Sequence, residues 1–165
     1  MRTSNDKTEG AAGGQGNVVA HQYATFFVGG MLFGIQVEMV QEIIRYQEMT
    51  RVPLSSPIIE GLINLRGQII TAIDLRRRLN IAERPKGELP MNVVVRTPDG
   101  IVSLLVDAIG DVIEVAQAQY EDTPLTVDES TRAVVQGVYK LKDCLLLVLD
   151  TDRVVDVAAV RSVAA

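Results

Sequence analysis

The stretch Gly61-Leu-Ile-Asn-Leu-Arg66-Gly67-Gln-Ile-Ile-Thr-Ala-Ile73-Asp74-Leu75-Arg76-Arg77-Arg78-Leu79 decides how this chain folds. Apolar residues flank Arg66-Gly67 on both sides. Ile, Thr and Leu suit pleated, half-buried backbone, so the stretch reads as two strands joined by a tight turn that Gly67 makes cheap. After Ile73 the period changes. Asp74 has the short acceptor side chain that satisfies free N–H groups at a helix start, and Leu75 and Leu79 fall on one helical face. The unit is a hairpin followed by a short capped helix.

The same unit returns 76 residues later as Gly137-Val-Tyr-Lys-Leu141-Lys-Asp-Cys144-Leu-Leu-Leu-Val-Leu-Asp150-Thr-Asp-Arg153-Val-Val155. Gly61 pairs with Gly137, Leu65 with Leu141, Asp74 with Asp150 and Arg77 with Arg153. Upstream, Val37-Glu-Met-Val-Gln-Glu-Ile-Ile44 matches Val106-Asp-Ala-Ile-Gly-Asp-Val-Ile113 at a spacing of 69, acid on acid and aliphatic on aliphatic. Two matching blocks in one order point to an internal duplication. The expected organisation is a disordered leader over 1–18, a first half over 19–80, a linker over 81–90, a second half over 91–157 and a tail over 158–165. Strand exchange between the halves is compatible with this plan.

The chain has 165 residues, 47% hydrophobic and 22% charged, in the range of a globular protein long enough to bury a sizeable core. A net charge of -5 is a poor start for a nucleic-acid binder. No apolar run approaches the length of a membrane span, and no basic-then-apolar leader suggests export. One Cys rules out an internal disulfide, which suits a reducing, cytoplasmic setting.

The first half is expected to open with a hairpin through Gly29-Gly30, then a short turn and a strand over 41–46, and a Pro-containing surface loop over 47–57. In the second half, strands are expected over 91–96, 101–106 and 111–115, with an irregular acidic loop over 116–132. The second hairpin is expected over 134–140 and 144–149, and its capped helix over 151–157.

Catalytic groups do not assemble. His21 stands at the edge of the leader with no second histidine and reads as a surface residue. Cys144, within an apolar run, reads as a buried structural thiol. Gly29-Gly30, Gly61 and Gly67 lack the surroundings of a phosphate cradle. The acidic residues near Asp128-Glu129 lack calcium-loop spacing. Arg76-Arg77-Arg78 reads as a helix end whose positive charges complement the helix dipole, since no basic stripe with aromatics accompanies it. No catalytic, cofactor or metal site is expected, and the pattern points to protein binding through a groove between copies or through sheet edges.

Phe33-Gly-Ile-Gln-Val-Glu-Met-Val-Gln-Glu-Ile43, then Gly61-Leu-Ile-Asn-Leu-Arg-Gly-Gln-Ile-Ile70 and Ile73-Asp-Leu-Arg76, closely resemble the CheW family of chemotaxis coupling proteins over about residues 23–157. The resemblance implies a mainly β fold of two SH3-like five-stranded barrels with short helices. It also implies a non-enzymatic, cofactor-free adaptor in the cytoplasm, recruited to receptor arrays at the inner face of the membrane. There it would couple the cytoplasmic tip of methyl-accepting chemoreceptors to the regulatory domain of a CheA-type histidine kinase. By motif, Val40 corresponds to a receptor-groove position, with Ile109 and Val112 lining the groove from the second barrel. Glu42, Gly61 and Arg66 correspond to positions near the coupling surfaces, and Glu42 and Arg66 carry opposite charges suited to a bidentate pair. Arg45 departs from the family's Gly after Glu-Ile. A CheW-like adaptor of a non-flagellar array for twitching or surface sensing is an alternative reading, as is a small-molecule or nucleic-acid-binding barrel.

Overall fold

The computed structural model describes residues 19–156; the leader 1–18, the tail 158–165 and Val157 at the expected end of the second helix lie outside them. The first copy comprises β1 (Ala20–Val28), β2 (Met31–Gln36), a 3-10 turn (Val37–Met39), β3 (Val40–Ile44), β4 (Ile59–Leu65), β5 (Gln68–Asp74) and α1 (Leu75–Arg78). The second comprises β6 (Met91–Thr97), β7 (Gly100–Val106), β8 (Ala108–Ala116), β9 (Tyr120–Glu121), α2 (Glu129–Arg132), β10 (Val135–Lys140), β11 (Leu145–Leu149) and α3 (Thr151–Val154). The fold is mainly β, with short helices only. The segment 116–132, expected to be irregular throughout, carries a 3-10 turn, β9 and α2.

Two sheets form. One has the order β8-β1-β2-β11-β10-β9, the other β3-β6-β7-β5-β4. Each therefore draws strands from both sides of the linker 81–90: the opening hairpin of each copy sits in the sheet completed by the other copy. The chain crosses between sheets twice, at Val37–Met39 and at Asp107.

The registers repeat with the sequence spacing. Ile59 faces Ile73 and Gly61 faces Ala72 across a bulge; Val135 faces Leu149 and Gly137 faces Val148 across the same bulge. Asp74 N–H donates to Ile58 O at 2.8 Å and Asp150 N–H to Val134 O at 2.7 Å. Asp74 caps α1 by accepting from Arg76 N–H, and Asp150 caps α3 by accepting from Asp152 and Arg153 N–H. The parallel pairs agree as well, Ala72 with Ser103 in one sheet and Val148 with Gly34 in the other.

Alternation along the strands sends apolar side chains inward. The main core lies between the sheets, built from Phe26, Phe33 and Ile35 on one side and Ile73, Val93 and Leu104 on the other. Two smaller cores belong to the individual sheets: Tyr23, Tyr139 and Leu146 in one, Ile63, Ile70 and Leu105 in the other. In the second of these, buried Asn92 accepts from Ser103 Oγ at 2.8 Å and donates to Arg45 O at 3.1 Å, which satisfies its amide.

Candidate functional site

The β4–β5 connection is a two-residue turn in which Leu65 faces Gln68. Arg66 has φ 51° and Gly67 φ 84°, so both central residues are left-handed, as a hairpin turn matched to strand twist requires. Asn64 Oδ1 accepts from Gly67 N–H at 2.9 Å and stiffens the corner. A non-glycine residue in this region is uncommon, and here it aims a guanidinium off the end of the hairpin. Arg66 donates through both terminal nitrogens to Glu42, at 3.3 and 3.0 Å. The expected bidentate pair thus joins β3 to the β4–β5 turn, on opposite edges of one sheet, and leaves the Arg66 side chain 78% exposed against 18% for Glu42.

Val40 and Ile109 occupy the same place in their copies. Val40 faces Val95 on edge strand β3, Ile109 faces Phe26 on edge strand β8, and both lean on the main core. Val112 stands 62% exposed on β8 opposite Ala24; its repeat counterpart Ile43 faces Val93 on β3 and is also exposed, at 39%. Ile43 escaped the reading of the sequence, although the spacing of 69 that yields Ile109 from Val40 yields Ile43 from Val112. Gly61 lies elsewhere. It is buried in the β4 bulge, where a Cβ would come 2.7 Å from Thr50 O, and its bareness admits the bridge between Thr50 and Leu62.

Three expectations are corrected. Cys144 is exposed, because β11 begins at Leu145 and Cys144 sits in the preceding bend, whose carbonyl accepts from Leu141 N–H at 2.8 Å. His21 belongs to β1, half-buried and edge-on to Tyr23. The three arginines do not act together on the dipole of α1. Arg78 donates to Arg153 O and Val154 O at the end of α3, Arg77 pairs with Glu60 at 2.8 Å, and Arg76 pairs with Asp107. No basic face remains there for nucleic acid.

Asp107 is the centre of a largely buried cluster. It accepts from Arg76 Nε and Nη2 at 2.8 and 2.7 Å, from Arg84 Nε at 3.1 Å and from Gly29 N–H at 2.8 Å. Arg84 Nη2 sits 3.1 Å from the same carboxylate without a well-aligned hydrogen bond. Burial pushes the Asp107 pKa up, but the bonds from Arg76 and Gly29 and the two guanidinium charges outweigh it and hold it below the usual carboxylate value. The Arg76 pKa is raised by its bond to Asp107 against the opposing effect of burial.

A depression of about 370 Å³ beside Met31, Leu32 and Leu145 is apolar and has few converging polar groups. Among the described residues no cluster of His, Cys, Asp or Glu is arranged to hold a metal, and no helix is long and apolar enough to cross a membrane.

Comparison with known proteins agrees with this architecture. Residues 22–159 match the family described as CheW-like domain. The chemotaxis protein CheW of Bacillus subtilis is 35% identical over 131 residues, 79% of this chain and 84% of that protein. CheW of Treponema pallidum is 29% identical, over 78% of each chain. The crystal structure of the scaffolding protein TtCheW from Thermoanaerobacter tengcongensis superposes with a TM-score of 0.71 at 30% identity, covering 79% of this chain and 89% of that one.

Proposed function

Because this chain belongs to the CheW family of chemotaxis adaptors, we propose that it bridges chemoreceptor cytoplasmic tips to the regulatory domain of a CheA-type histidine kinase. It does so as a non-enzymatic scaffold, in the cytoplasm at receptor arrays. The observation that carries the reading is the pair of repeat-related edge strands, each presenting aliphatic side chains: Val40 and Ile43 on β3, Ile109 and Val112 on β8. An amphipathic receptor helix lays its apolar face against such side chains, while the strand edges and the Glu42–Arg66 pair shape the surface that couples kinase and receptor. Gly61 contributes from beneath, by letting the 49–50 segment close on β4.

The test is titration of the purified chain with the regulatory domain of the CheA-type kinase from the same genome and, separately, with a chemoreceptor-tip fragment. Saturable binding to both is expected, with Val40→Asp weakening the receptor arm because a charge must be buried. Binding to neither by a folded chain defeats the proposal. Unchanged receptor affinity of Val40→Asp removes Val40 from the site.

A further inference from the structure

The two crossings between the sheets are repeat-equivalent in sequence and unlike in structure. At the β7–β8 crossing, Asp107 N–H donates to Phe27 O at 2.9 Å, and the side chain ties α1, the linker and the β1–β2 turn together through Arg76, Arg84 and Gly29 N–H. Ile81 of the linker also lies against Gly29, so close that a Cβ there would come 2.5 Å from Ile81 Cδ1. At the β2–β3 crossing the counterpart of Asp107 is Glu38, and the acid is kept while two of its three partners are replaced. Asp152 stands where the first copy has Arg76, and Pro98, which has no N–H to give, stands where it has Gly29. Glu38 is exposed in the turn Val37–Met39, and no ion pair reaches it among the described residues.

From this asymmetry we infer that the Asp107 crossing is the fixed pivot between the two sheets and that the Val37–Met39 crossing is the one that yields when they move. A charged cluster with several donors on one carboxylate has one arrangement, whereas the Val37–Met39 turn, held by the Val40 N–H to Val37 O bond and by Met39 and Val40 packed against the main core, has no charged tie across the sheets among the described residues and opens more readily. Movement about the pivot then changes the disposition of β3 relative to β8. The inference concerns the chain alone and holds whichever partner docks.

Two measurements test it. In the wild-type protein, residue-resolved hydrogen exchange compares the amides of Asp107 and Val40, both hydrogen-bonded at a crossing; Val40 is expected to exchange at least about tenfold faster. Equal rates, or the reverse order, overturn the pivot, and this arm needs no variant to fold. In the second measurement, spin labels on native Cys144, in the bend that leads into β11 of one sheet, and on Ile69→Cys in β5 of the other, both exposed, give the distance distribution between sheets. Asp107→Asn or Arg84→Gln is expected to broaden it, and Glu38→Gln to leave it unchanged. A distribution insensitive to Asp107→Asn, or broadened equally by Glu38→Gln, sinks the inference.

Discussion

Arg66 combines a left-handed backbone with a bidentate bond from a mostly exposed guanidinium. An exposed ion pair contributes at most about 1 kcal/mol to folding, and Ala in its place keeps the same backbone demand. Arg66→Ala should therefore shift the melting temperature little while weakening kinase or receptor binding; calorimetry alongside titration separates the two. A large loss of stability with binding intact would show the pair to be structural. The opposite charges of Glu42 and Arg66 on two signature strands made this contact legible in the sequence. Asp107 was not legible. Its partner Arg76 is 31 residues away, on the far side of a linker, and nothing local marks a carboxylate that three elements will surround.

Among the elements, the hairpin and capped helix were readable because their determinants are local: alternation, Gly67 at the turn, an Asp at each helix start. The end of α1 follows local chemistry too. Asn80 has φ 56°, and the N–H groups of Asn80 and Ile81 return to Arg77 O and Arg76 O at 3.1 and 3.0 Å, which closes the helix. What sequence alone could not resolve was why Gly61 and Gly137 share a position. A Cβ at Gly61 meets backbone, Thr50 O at 2.7 Å, whereas a Cβ at Gly137 meets the end of the Tyr120 ring. Backbone cannot step aside and a half-exposed ring can. Gly61→Ala should lower stability by about 2 kcal/mol through strain. Gly137→Ala should lower it by about 1 kcal/mol, the worth of the hydrogen bond Tyr120 donates to Gln136 O. Thermal unfolding of the two variants side by side checks the order, and equal losses would mean that Thr50 moves as easily as Tyr120.

At the scale of the molecule, the Asp107 cluster links stability to pH. Its folded pKa lies below that of an aspartate in the unfolded chain, so in the window between the two values the unfolded state binds more protons. The contribution is complete above the unfolded value of about 4 and is lost as pH falls through the folded one. Asp107→Asn should cost about 3 kcal/mol near neutrality, because Arg76 and Arg84 lose their counter-charge. The gap from wild type, measured by urea unfolding, should close on acidification below about pH 4; a gap independent of pH would assign the loss to packing.

The mainly β class and the duplication were visible in composition and spacing, because both are properties of consecutive residues. Which copy's hairpin joins which sheet was not visible, since identical spacing serves either pairing and only packing decides between them. That exchange has a consequence for synthesis. The sheet β3-β6-β7-β5-β4 has all its strands once Val106 has been made, but β1 and β2 have no finished sheet until Leu149. On the ribosome, the middle of the chain can therefore close first while the hairpin made earliest waits for the strands made last.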